Sequence, residues 1–166
     1  MVADRNAVAD ARQSITDTLY RYCRAMDRID HALGYSIWHE DGTADYGRLF
    51  QGTGREFIDW VCELHEPLSH HHQIGNILIQ VDGDKAGSEA YVTTNLMATQ
   101  DGRQMLRTGF GRYVDQWSKR EGRWAIDHRR YILEYIFTRE VEATAGWGLR
   151  DRSDPSYAVL GAIGAA

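Results

Sequence analysis

Three acidic–glycine steps constrain this chain more than any other feature. Asp82-Gly83-Asp84, Asp101-Gly102 and Glu121-Gly122 each read as a tight turn. The runs around them, Ile74–Val81, Ala86–Thr99, Met105–Lys119 and Trp124–Phe137, are rich in β-branched and aromatic residues. Connections this short join antiparallel neighbours, so the second half is expected to be a meander. Most of these runs exceed the usual strand of about five or six residues. Strands that long twist and curl, which excludes a flat sheet.

The first half has a different period. Between Val8 and Met26, the residues Ile15, Leu19, Tyr22, Cys23 and Met26 recur at steps of three and four, the mark of an amphipathic helix. Asp30-His31 is expected to open a short second helix through Trp38. Asp41-Gly42 reads as a turn, and Thr43–Tyr46 as a short strand. Thr53 or Gly54 is placed to cap a third helix whose shared face is Phe57, Ile58, Val61 and Leu64, ending near Pro67. Helices followed by a meander imply an α+β fold, with helices packed on one face of a curved sheet. The chain has 166 residues, so one domain is expected, spanning 1–140. The weakly patterned tail, 141–166, is expected to pack on it or on a neighbouring subunit, with Tyr157 and Leu160 as anchors.

Charge and composition exclude several functions. A net charge of −5 argues against a nucleic-acid surface. No apolar run reaches the ~20 residues of a membrane span. The N-terminal residues lack the apolar segment of a signal peptide, and Cys23 and Cys62 form neither a disulfide framework nor a CxxC pair. The expected compartment is the cytoplasm.

Four positions carry candidate chemistry. His70-His71-His72, with His65 nearby, supplies groups that titrate near neutral pH. In a strand, His70 and His72 face one side and His71 the other. A metal reading needs a third ligand, and no Cys or carboxylate lies at ligand spacing. Asp27 interrupts an apolar face at a helix end, where the dipole disfavours a carboxylate; a histidine partner would justify it. Tyr22 lies on the apolar face, five residues earlier. Arg129 and Arg130 are adjacent in a strand, so one of them turns inward and needs an anion or carbonyl.

With these residues the chain resembles the SnoaL-like branch of the nuclear-transport-factor-2-like (NTF2-like, cystatin-like) superfamily. The matching pieces are YRYCRAMDRID (20–30), HHHQIGNILIQVDGDKA (70–86), TGFGRYVDQW (108–117) and GRWAIDHR (122–129). The resemblance implies a cone: a strongly curved antiparallel or mixed sheet closed by three helices around an apolar pocket. Within the family the chain looks most like the bile-acid 7α-dehydratase, scytalone dehydratase and hexachlorocyclohexane dehydrochlorinase members. That likeness implies an Asp27–His72 dyad, with Asn76 fixing the histidine and with Tyr22 and Arg129 as further site residues. Arg129 alternates away from Trp124 and Ile126, so a bulge is needed to turn it inward. Expected pocket walls are Trp38, Tyr46, Trp60, Leu96, Met97 and Phe110. The implied activity is a cofactor-independent lyase of dehydratase or hydratase type, with no metal, on a small hydrophobic and possibly steroid-like or polycyclic substrate. An isomerase or cyclase on the same dyad, and a non-catalytic ligand-binding cone, are the alternatives. A homo-oligomer is implied, trimer ahead of dimer.

Overall fold

The computed structural model describes residues 5–144 and 146–161. Helix α1 is Arg5–Arg28, α2 is His31–Ser36 and α3 is Gly54–His65. The strands are β1 (Trp38–Asp45), β2 (Gln51–Thr53), β3 (Ser69–Asp82), β4 (Lys85–Gln100), β5 (Arg103–Arg120) and β6 (Arg123–Glu140). They form one curved sheet in the order β2-β1-β6-β5-β4-β3. All neighbours are antiparallel except β1 and β6, which run parallel, so the sheet is mixed. The architecture is α+β, as the sequence pattern implies.

The acidic–glycine turns are two-residue hairpins. Asp101 and Gly102 both take positive φ (50° and 77°), as do Glu121 and Gly122 (53° and 81°). That pair of conformations follows the right-handed twist of the flanking strands. The Thr53 hydroxyl accepts from the Glu56 N–H at the start of α3, and the Glu56 carboxylate accepts from the Thr53 N–H at 2.9 Å, a reciprocal capping box.

Three boundaries differ from the sequence reading. Asp41-Gly42 lies inside β1 rather than in a turn, because β1 shifts register between Trp38 and Thr43. A Cβ at Gly42 would sit 2.7 Å from the Ile126 carbonyl oxygen, so glycine permits the close approach to β6. The second helix stops at Ser36, and Trp38 opens β1. In α3 the buried stripe is Phe57, Ile58, Val61, Cys62 and His65, while Leu64 is exposed at the stripe's edge. Successive helical residues rotate by about 100°, which puts His65 rather than Leu64 over Val61.

One core joins the layers. Ile15, Leu19, Tyr22 and Met26 of α1 and Phe57 and Ile58 of α3 pack against Ala90, Val92, Tyr113, Trp117 and Ile126 of the sheet. Beyond β6, residues 155–160 form helix α4 (Pro155–Leu160). Tyr157 anchors it by donating to Asp30 at 2.9 Å, and the Arg24 guanidinium lies over the Tyr157 ring. Leu160 does not anchor: it is exposed. Residues 162–166 of the expected tail lie outside the described residues. No helix among the described residues is long and apolar enough to cross a membrane.

Candidate active site

Asp27 sits in the last turn of α1, beside β3. As the outermost strand, β3 has one backbone edge free of sheet partners. Asp27 takes one of these free groups: the His72 N–H donates to Oδ1 at 3.0 Å and to Oδ2 at 3.2 Å. The His72 ring lies 2.8 Å away from the same carboxylate through Nδ1. A carboxylate only accepts, so Nδ1 carries the proton, and in the neutral ring Nε2 presents its lone pair. The His72 side chain is 4% exposed and that of Asp27 13%. Three hydrogen bonds therefore offset the unfavourable helix dipole at Asp27.

The three consecutive histidines separate as strand geometry requires. His70 and His72 pair with Leu96 and Thr94 and share the helix-facing side of the sheet, while His71 is exposed on the other side. The His70 Nε2–H donates to the Met26 carbonyl at 2.7 Å. His65 completes the cluster from the end of α3, with ring centroids 4.8 Å from His70 and 5.9 Å from His72. Burial pushes the His65 pKa down to about 3, and the neighbouring His70, His72 and Arg150 push in the same direction. Burial also lowers the His70 pKa, against the pull of the Met26 and Leu68 carbonyls. Asn76 does not fix His72. It is exposed at a register shift between Ile74 and Ile77, which changes the parity of β3 beyond the histidines.

A second polar cluster lies deeper. Between Gln116/His128 and Trp117/Ile126 the pairing of β5 and β6 slips by one residue at Asp127. This is the bulge that turns Arg129 inward alongside Ile126. Arg129 is fully buried and bidentate to Asp115, with Nε–Oδ1 2.8 Å and Nη2–Oδ2 2.7 Å. Its guanidinium carbon lies 4.3 Å from the Tyr22 ring centroid and 4.1 Å from that of Tyr113. Nη1 is buried with no hydrogen-bond partner among the described residues. Burial opposes the Arg129 charge, but Asp115 more than compensates and holds its pKa above the ordinary arginine value. Removing one member of such a pair costs about 3–5 kcal/mol. The Tyr22 and Tyr46 hydroxyls are 2.9 Å apart, and burial keeps both phenols protonated. Cys23 stands between the two clusters: burial raises its thiol to about 12, with Asp27 adding to the shift and Arg129 opposing it.

The expected pocket walls divide. Trp38 and Tyr46 are core, and Trp60 is half-buried against Phe50 and Phe57. Leu96 shares the face of His72. Met97 and Phe110 do not: strand parity puts both on the opposite, convex face, where Phe110 stacks on Tyr135 at 4.6 Å. The space around Tyr22 is filled by Tyr46, Tyr113 and Arg129 rather than left as a pocket. A cavity of about 380 Å³ opens elsewhere, between the first turns of α1 and the β3–β4 and β5–β6 hairpins. Sequence reasoning missed Asp115, although a carboxylate alternating with Tyr113 and Trp117 on a buried stripe is the signal that could have found it. It also missed Arg150, which donates to the His65, Glu66 and Leu68 carbonyls and ties the tail to the start of β3.

The comparisons agree with this fold. No curated protein matches the chain by sequence. Among solved structures, the type 2 hexachlorocyclohexane dehydrochlorinase LinA aligns with TM-score 0.75 at 17% identity, covering 88% of this chain and all (100%) of the other. The LinA-type3 dehydrochlorinase of Novosphingobium barchaimii aligns with TM-score 0.74 at 15% identity, over 86% and 99%. A protein of unknown function with a cystatin-like fold from Nostoc punctiforme aligns with TM-score 0.61 at 20% identity, over 74% and 90%. At these identities the likeness is one of fold. Residues 7–130 match the SnoaL-like domain, which is most of the chain, and the protein belongs to that family, within the NTF2-like superfamily.

Proposed function

We propose that this protein is a cofactor-independent lyase that eliminates water, or a comparable leaving group, from a small hydrophobic substrate. The observation that carries this reading is the His72–Asp27 contact at 2.8 Å, which holds the proton of a buried imidazole on Nδ1 and so makes Nε2 the base of its neutral form. His72 Nε2 removes a proton from a carbon next to a carbonyl. The C–H electrons form the new double bond as the C–O bond breaks. The departing hydroxide takes the proton back from the imidazolium and leaves as water, so the base is restored. Asp27 fixes the tautomer and stabilises the charge on the ring while it lasts. The Tyr22–Tyr46 hydroxyl pair of the deeper cluster is the proposed donor for developing negative charge, and Arg129 polarises it through the Tyr22 ring rather than by touching substrate. The family likeness supports a small-molecule enzyme of lyase or isomerase type.

The single base also suits an isomerase or cyclase, because His72 can return its proton to another carbon. Incubation with hydroxylated polycyclic ketones, followed by mass spectrometry, separates the readings: a lyase product is lighter by one water and an isomer is not. Asp27→Asn and His72→Ala are each expected to lower turnover by about 10²–10⁴-fold. Turnover that survives both substitutions removes the dyad. Saturable binding without any product returns the protein to the ligand-binding class.

A further inference from the structure

The histidine cluster holds more donors than proton abstraction needs. Asp27, His70 and His72 each place a ligand atom within 4.8 Å of the others. Two ligand bonds of about 2.1 Å at a tetrahedral metal put their donors ~3.4 Å apart. The Asp27–His72 pair, at 2.8 Å, opens by ~0.6 Å to reach that separation, and the wider pairs, at up to 4.8 Å, close by at most ~1.4 Å shared between two side chains. The donors are also held in advance. The His72 N–H grips Asp27, and the Met26 carbonyl orients His70 through Nε2, leaving Nδ1, 3.3 Å from the Leu68 carbonyl, as the nitrogen that a cation takes from that contact. His65 is buried beside them, and its Nδ1 has no hydrogen-bond partner among the described residues, but its ring nitrogens are not part of the three-donor group.

We infer that Asp27, His70 and His72 form a three-residue binding site for a borderline divalent transition cation of the zinc or cobalt type, with the fourth position left to solvent. Imidazole with one carboxylate is the donor set such ions prefer over magnesium or calcium. The cation takes the position of the proton shared by Asp27 and His72, and that proton is released to solvent. Arg150 is the opposing charge in the neighbourhood, and the Asp27 carboxylate is the anion that compensates for it. Occupancy would engage His72 and Asp27, so the cation is an inhibitor of the proposed elimination rather than its cofactor. The site goes beyond the dyad reading and stands without it, because it needs His70, which proton abstraction does not.

The test is titration of the tag-free, chelator-treated protein with cobalt(II) chloride, read by visible absorption, and with zinc chloride, read by calorimetry. One saturable equivalent and release of a proton are expected. His70→Ala and His70→Gln should each weaken binding at least tenfold, while His71→Ala, on the opposite face, should leave it unchanged. The Gln variant retains a side-chain donor for the Met26 carbonyl, and circular dichroism reports whether each variant is folded. Absence of a saturable equivalent, or binding lost with His71 and kept without His70, overturns the site. Loss of turnover in Asp27→Asn bears only on the dyad, so the two readings fail separately.

Discussion

His65 shows how one buried side chain sets a property of the whole protein. It closes α3 in a site where burial and the neighbouring imidazoles keep the ring neutral. Its pKa falls from 6.5 in the unfolded chain to about 3 in the fold. Between those values the unfolded state binds a proton that the native state refuses. Stability contributed in this way is present above pH 6.5 and is lost as pH falls toward 3. Urea unfolding across that window should show stability decreasing with acidity, by a few kcal/mol in total at about 1.4 kcal/mol per pKa unit. His65→Gln should flatten the slope between pH 6 and 4, and an unchanged slope would assign the acid sensitivity to other groups. The same residue scale separates His70 and His72 from His71. Alternation alone puts them on different faces, and this much is legible in the sequence. Which face looks inward is not, because it depends on the register with β4.

At the level of elements, the turns and caps carry the most local information. The three hairpins lie where the sequence puts them, because the positive φ found at Gly83 and at both residues of Asp101-Gly102 and Glu121-Gly122 is a requirement of short-range sterics. The Thr53–Glu56 capping box is equally local. Thr53→Ala should lower stability by about 0.5–2 kcal/mol, measured by thermal or chemical denaturation, and Thr53→Ser should cost much less. An Ala variant as stable as the native protein would mean that Trp38, packed against Gly54, fixes the start of α3 without the cap. Local reasoning fails at Asp41-Gly42. The dipeptide reads as a turn, but parallel pairing with β6 draws it into β1. Long-range hydrogen bonding overrides local preference there. The bulge at Asp127 is an intermediate case, since its need was readable from Trp124, Ile126 and Arg129 but its position was not.

For the molecule as a whole, helices cover one face of the sheet, and the convex face is left with Phe110 stacked on Tyr135 and tilted against Phe137. Tyr135 and Phe137 are 59% and 43% exposed. We propose that further copies of the chain cover this face, in keeping with the homo-oligomer that the family resemblance implies. Sedimentation at micromolar concentration should give an oligomer, and Tyr135→Glu with Phe137→Glu should shift it to monomer without unfolding. A native chain that sediments as a monomer would leave the face solvated and the expectation wrong.

Apart from the choice of His72 and Arg129 within their runs, which only the family resemblance implies, the sequence by itself determines the α+β order, the long hairpins, the first and third helices and the unusual placing of Asp27, Tyr22, the histidines at 70–72 and the Arg129–Arg130 pair. These follow from period, turn chemistry and the cost of placing charge on an apolar stripe, all of which act over a few residues. Partnership belongs to the tertiary structure. Asp27 and His72 are 45 residues apart and meet because α1 packs along the free edge of β3. Arg129 is matched to Asp115 across the β5–β6 pair, at a register set by a bulge. Asp27 also lies beside His70 and His72, as the third donor of the proposed cation site that sequence spacing could not supply. Contacts of this kind depend on which strand lies at the edge and on the register of its pairing, and no local property of the chain encodes either.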